Sequence, residues 1–184
     1  MEYLEHQITE CKKTKVDELI ERMKSIDFHL HQETADKLQL NLQERLVSIQ
    51  NIWNAVKLKI GDPKTALDVG AGFAYGTVFL DMNGIKTVGI KNVHAKNTQA
   101  FKLFRKLGVT INKVNKVDFS KSPAIFETDF NEMQGNEVAD LITMFYLSGE
   151  LVMNPKTLQV CEKLLKKDGR CMFSTEANRS TIKK

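Results

Sequence analysis

From residue 65 to residue 175, short apolar runs alternate with longer amphipathic ones, and that alternation leaves few folds open. "TALDV" reads as a short buried strand, "YGTVFLDMN" as a helix closed by Gly84, and "KTVGI" as a second strand. "AKNTQAFKLFRKL" reads as a helix closed by Gly108, "AIFETDF" as the third strand and "ADLITMFY" as the fourth. "PKTLQVCEKLLKK", with Pro155 near its start and Gly169 after its end, reads as a helix, and "RCMFST" as the fifth strand. Strands separated by helices pair in parallel through right-handed crossovers, with helices on both faces. The expected fold is therefore α/β: a doubly wound, mainly parallel sheet of about five strands, preceded by an N-terminal helical extension. The stretch 109–123 is open between a loop and a short hairpin.

Residues 1–60 form the expected extension and residues 61–184 the α/β domain. Val16, Leu19, Ile20, Met23 and Ile26 fall on one face of a first helix. A second helix, with Thr34 as its expected N-cap, carries Leu38, Leu42, Leu46, Ile49, Trp53, Val56 and Ile60 at steps of three and four. Leu40, Val47, Ile52 and Leu58 widen that seam beyond a two-helix stripe, which favours docking on the following domain over a coiled coil. "GDPK" ends the helix.

Composition excludes several classes. At 42% hydrophobic and 27% charged residues, the chain can bury a core. No apolar run approaches the roughly 18 residues that span a bilayer, and "MEYLEHQITE" is not a secretory signal. Cys11, Cys161 and Cys171 match neither a disulfide framework nor a zinc site, so an intracellular, cytoplasmic location is expected, with Cys161 and Cys171 as core residues. Residues 1–60 hold 9 basic and 10 acidic side chains, the remainder 18 and 13, a net charge of +5. That bias falls short of a dedicated nucleic-acid binder. His6, His29, His31 and His94 are too scattered for a metal site.

The chemistry concentrates in "LDVGAGFAYG". Gly70 and Gly72 let the backbone turn sharply after the strand and let a ligand lie against it. Amides at the start of the next helix favour polar or anionic groups. A dinucleotide fingerprint needs glycine at 75, where Tyr75 stands, and Asp68 would repel a pyrophosphate. A carboxylate at that place suits a ligand carrying positive charge.

The order Asp68-x-Gly70-x-Gly72 between strand and helix, "ETDF" after the third strand, "DLI" opening the fourth and "KDGRCMF" leading into the fifth resembles the class I methyltransferases that use S-adenosylmethionine. The resemblance covers roughly residues 62–175. It implies S-adenosylmethionine as cofactor, held by Asp68, Gly70, Ala71 and Gly72, with Asp129 and Phe130 at the adenine. Residues 91 and 92 are on the ribose side, and Phe145 belongs to the segment facing the methyl group. Tyr146 and Glu150 are implied on the acceptor side, Glu150 to orient or deprotonate an amine. Lys91 stands where the family has a ribose-binding acid, with Asn92 beside it able to recover one hydroxyl contact. A basic residue there also suits the 2′-phosphate of NADP, but Asp68 and the glycine spacing oppose it, and no Tyr-x-x-x-Lys pair is present.

Two functions follow as expectations. One is methyl transfer to a protein, nucleic-acid or small-molecule nucleophile. The other is a catalytically inactive methyltransferase-like module acting through protein–protein contacts. Lys91, and a polar tail where the family adds two further strands, motivate the second. The N-terminal helices offer a surface for a protein partner or self-association. Lys102, Arg105 and Lys106 offer a basic face that nucleic acid would suit.

Overall fold

The computed structural model describes residues 15–24, 32–91, 108–112 and 116–175. The elements are α1 (Lys15–Lys24), α2 (Gln32–Ile60), β1 (Thr65–Val69), α3 (Tyr75–Met82), β2 (Lys86–Lys91), β3 (Thr110–Asn112), β4 (Ala124–Glu127), β5 (Ala139–Leu147), α4 (Gly149–Val152), α5 (Pro155–Leu164) and β6 (Leu165–Thr175). Six strands form one sheet in the order β3-β4-β2-β1-β5-β6, and every pairing is parallel. The chain runs outward from β1 to one edge, then crosses back to lay β5 on the other side of β1. Strand order therefore reverses between β1 and β5, the place where open α/β sheets bind ligands.

Two differences from the expected elements have local causes. The ambiguous stretch contributes β3, a three-residue parallel edge strand on β4, rather than a hairpin. The final strand starts five residues early. Ala139 pairs with Leu165 and Leu141 with Arg170, so Lys166–Gly169 bulges out where a helix was expected to continue. Gly169 permits this bulge, since a Cβ there would lie 3.2 Å from the Ala139 carbonyl. The helix expected over 95–107 lies outside the described residues, as do His6, His29, His31, His94, Cys11 and Asn92.

The sheet separates two cores. On one face Ala66, Ile125, Leu141, Phe145 and Met172 meet α1, α2 and α3. On the other, Leu67, Val88, Ile90, Phe126, Ile142 and Met144 meet α4 and α5. The seam of α2 docks inward: Leu46, Ile49 and Trp53 are buried, and Trp53 meets Phe79 of α3 edge-on at 6.4 Å. Arg45 adds a hydrogen bond from its guanidinium to the Tyr75 hydroxyl at 3.0 Å. The seam is narrower than expected, with Leu58 fully exposed and Val47 partly so. Thr34 lies inside α2, which begins at Gln32. No helix of the described residues is long and apolar enough to cross a membrane.

At the opposite end of the sheet from the strand-order crevice, Asp140 ties β5 to the start of β1. Its carboxylate accepts from the Lys64 and Thr65 amides and the Thr65 hydroxyl, each at 2.9 Å, and pairs with Lys166 at 2.8 Å. Partial burial pushes this carboxyl up, but the bonds from Lys166, Lys64 and Thr65 outweigh it and hold the pKa at about 2. A depressed pKa gives stability that is present above the unfolded value and lost as pH falls toward 2. Asp140→Ala is expected to cost about 1–3 kcal/mol at pH 7 by orphaning two amides. Urea midpoints of both proteins should converge as the pH is lowered from 4 toward 2.

Candidate functional site

β1 ends at Val69, and the chain turns through Gly70 and Gly72, with φ of 72° and 50°. Both are left-handed values that favour glycine. The Gly70 and Ala71 amides donate to the Ile90 carbonyl of β2 at 2.9 and 3.0 Å, which pins the turn to the neighbouring strand. Ala71 is buried, while Gly70 and Gly72 on either side of it present exposed backbone. Ala74, with φ 62°, then starts α3.

Asp68 lies beneath this turn at 3% exposure. Its Oδ2 accepts from the Thr77 hydroxyl at 2.8 Å and its Oδ1 from the Thr143 hydroxyl at 3.0 Å. These bonds connect β1 to α3 and to β5. Gly76 is required for the same contact, because a Cβ there would sit 2.8 Å from Asp68 Oδ2. Burial dominates the electrostatics and pushes the carboxyl up to about 6, although Thr77 and Thr143 pull it down. The hydroxyl partners are neutral, so an ionised Asp68 sits in a poorly solvated place with no cation bonded to it among the described residues. Beside it Gly70, Ala71, Tyr75, Gly76 and Phe145 line a void of about 10 Å³, at the lower limit for one water.

On the α5 face of the sheet, at the carboxyl ends of β1, β2, β4 and β5, lies an apolar cavity of about 90 Å³. Val69, Gly70, Ile90, Phe130, Met144 and Leu147 contribute to its walls, with Asp129, Asn131 and Thr157 as polar members. Asp129 caps the short turn Phe130–Glu132 by accepting from the Asn131 amide at 2.8 Å. Asn131 in turn accepts from the Thr157 hydroxyl of α5 at 3.3 Å. Phe130 is buried against the α5-side core.

Of the segment 144–148, expected to face the methyl group, Met144 and Leu147 line the cavity. The pairing of β5 with β6 goes from Phe145↔Ser174 to Leu147↔Thr175, a bulge at residue 146 that re-aims the end of the strand. Leu147 thereby joins Met144 at the cavity and lies on the glycine turn: a Cβ on Gly70 would be 2.4 Å from Leu147 Cδ2. Strand periodicity alone assigns 144 and 146, rather than 147, to one face. Phe145 points the other way, into the core shared with α3. Tyr146 has its backbone in β5, and its side chain is outside the described residues. Glu150 is exposed in α4, whose start is capped by Ser148, while Leu151 of the same turn lines the cavity.

Lys91 is not a surface lysine. It ends β2 at 5% exposure, in register with Glu127 of β4. Burial lowers its pKa, and the Glu127 charge opposes that shift. An acid thus stands beside the position where one was expected, on the adjacent strand. The signal was present in "ETDF", whose first acid was passed over for Asp129. Gly89, also passed over, carries the contact that brings α3 close enough for Thr77 to reach Asp68. A glycine inside a strand signals such an approach.

Neither a protein-family model nor a curated protein sequence matches the chain. Solved structures do. A SAM-dependent methyltransferase from Leishmania major superposes with a TM-score of 0.54 at 15% identity, covering 87% of this chain and 60% of its own. A Methanococcus maripaludis protein assigned as an S-adenosylmethionine-dependent methyltransferase gives 0.52 at 16% identity, covering 74% of this chain and 59% of its own. StiE O-MT gives 0.51 at 17% identity, covering 78% of this chain and 47% of its own. The chain therefore spans about half to three-fifths of the length of these structures. The likeness is one of fold, a parallel α/β sheet flanked by helices that the chain shares with S-adenosylmethionine-dependent methyltransferases.

Proposed function

We propose that the chain binds S-adenosylmethionine at the carboxyl ends of β1, β2, β4 and β5 and transfers its methyl group to a nucleophile of a protein, nucleic acid or small molecule. The observation that carries this reading is the buried Asp68 under the glycine turn, at the reversal of strand order, with only neutral hydrogen-bonding partners among the described residues. A cofactor whose reactive end is cationic supplies what this carboxylate lacks. Asp68 would hold that end electrostatically, with the Gly70–Gly72 backbone beneath it. Asp129 and Phe130 suit the adenine, and Glu127, Lys91 and Asn92 the ribose. Bound there, the sulfonium supplies an activated methyl group. Tyr146 and Glu150, on the segment after the cavity, are assigned to the acceptor, with Glu150 as the group that orients or deprotonates it. Catalysis in such a site is mainly positioning and exclusion of water.

The cavity, about 90 Å³, is smaller than the roughly 300 Å³ at which small-molecule pockets begin, and Leu147 lines it against Gly70. The non-catalytic module acting through a protein partner is the second reading. Leu147 on Gly70 and the buried Lys91 favour it. Calorimetric titration with S-adenosylmethionine and S-adenosylhomocysteine separates the two. Under the enzyme reading Leu147→Ala binds about ten-fold tighter than the native chain or better, since the native protein must expel a half-buried leucine. Folded native and Leu147→Ala proteins that both ignore millimolar cofactor would leave the partner-binding module.

A further inference from the structure

Of the two cysteines among the described residues, both expected in the core, only Cys161 is buried, because Cys171 lies on an edge strand. Cys161 is buried on α5, one helical turn after Thr157 and three residues before Leu164, the other inward positions of that helix. Cys171 is exposed on β6, the edge strand. It pairs in register with Ile142, which belongs to the same core cluster as Cys161, whereas the next residue, Met172, belongs to the core on the other face. Alternation along β6 therefore aims Cys171 at the α5 side of the sheet, where Cys161 is buried.

We propose that Cys161 and Cys171 form a reversible redox pair that closes to a disulfide between α5 and β6 when the chain meets a peroxide. Cys171, the accessible member, attacks one peroxide oxygen as thiolate. The S–O bond forms, the O–O bond breaks, and the departing hydroxide leaves as water on taking up a proton. The resulting Cys171 sulfenic acid is then attacked by Cys161. The S–S bond forms, the S–O bond breaks, and hydroxide carries away the Cys161 proton as a second water. Two thiols lose two electrons and the peroxide gains them.

Exposure sets this order, since Cys171 is accessible and Cys161 is buried. The neighbouring Cys171 thiol and then burial push Cys161 well above its ordinary range, and the Cys161 thiol lowers Cys171. A lowered, exposed thiol beside a buried partner is the arrangement expected of an attacking and a resolving cysteine. Closure would tether α5, whose Thr157 reaches Asn131 at the cavity.

The test is one equivalent of hydrogen peroxide on the reduced full-length chain, followed by intact mass and peptide mapping. The expected product has lost two hydrogens, carries a Cys161–Cys171 cross-linked peptide and reverts with dithiothreitol. In Cys161→Ser, Cys171 sulfenic acid is expected to accumulate and be trapped by dimedone. In the native chain, sulfinic acid at Cys171 without a cross-link, a cross-link to Cys11 instead, or an unchanged mass would each overturn the proposal. The native protein alone decides the matter if the variant fails to fold.

Discussion

Asp68→Asn should melt higher than the native chain at pH 8 while losing S-adenosylmethionine. The stability half rests on burial. The folded pKa of Asp68 is raised from 3.8 to about 6. A raised folded pKa means that the native state holds its proton more tightly than the unfolded state. Stability is then greatest below the unfolded value and is lost as pH rises through about 6. The loss across that window is about 3 kcal/mol. Asparagine keeps the size and can still accept from a Thr77 or Thr143 hydroxyl, which rotates to suit, but it never ionises. Native and variant urea midpoints should therefore diverge between pH 4 and pH 8, with the variant ahead at pH 8. The binding half follows from the proposed function: loss of a charged partner for the cationic cofactor should weaken affinity about ten- to hundred-fold. Affinity of the native chain should itself fall as pH drops through about 6, where Asp68 takes up a proton. A variant that is less stable at pH 8, or that binds cofactor normally, would remove Asp68 from the role assigned to it.

Gly89→Val should unfold the protein or come close to it. A Cβ at 89 would lie 2.4 Å from Ile125 Cδ1, 2.5 Å from Thr77 Oγ1 and 2.7 Å from Ala71 Cβ. Ile125 can turn aside, but Thr77 and Ala71 belong to α3 and the glycine turn, which are fixed to β1 and β2. Relief requires α3 to lift from the sheet, which separates Thr77 from Asp68 and strains the turn together. Overpacking of a filled core costs about 1–3 kcal/mol or more, and valine, with two further methyls, should reach at least the upper end. The check is the urea midpoint and the near-ultraviolet dichroism of Trp53, which sits against α3 through Phe79. Gly84→Ala is the control, since nothing lies within 4 Å of a Cβ there and its strain is only that of φ 82°.

The parts of this molecule legible in its sequence are those written in periodicity and glycine placement. The alternation after Thr65 gave β1, α3, β2, β4 and β5, and the steps of α2 gave Leu46, Ile49 and Trp53 as its inward face. What escaped depends on long-range register. The bulge that moves Leu147 onto Gly70 is a property of two strands whose paired residues are 28 apart, as Leu147 and Thr175 are, and no local pattern encodes it. The early start of β6 is likewise set by Ala139 opposite Leu165. Lys91 is expected on the ribose side in place of an acid, and its burial in register with Glu127 comes from β4 arriving next to β2, which no local pattern encodes. Cys161 and Cys171 were each read separately as core, because their meeting depends on how a helix lies across the following strand.

The same long-range pairing sets an order of assembly. β1 is flanked by β2, which begins 17 residues after Val69, and by β5, whose Leu141 sits opposite Ala66. Asp68 finds Thr143, and Thr65 finds Asp140, only across that second seam. A nascent chain that has reached β4 therefore holds β1 with one hydrogen-bonding edge bare and the Asp68 carboxylate half satisfied. Non-local pairings of this kind slow folding and expose unpaired edges meanwhile. Emergence of residues 139–147 covers that edge of β1 but bares an edge of β5 until β6 follows, so synthesis halted just before Ala139 or just past Leu147 should yield a chain that aggregates, and synthesis continued past Thr175 one that does not.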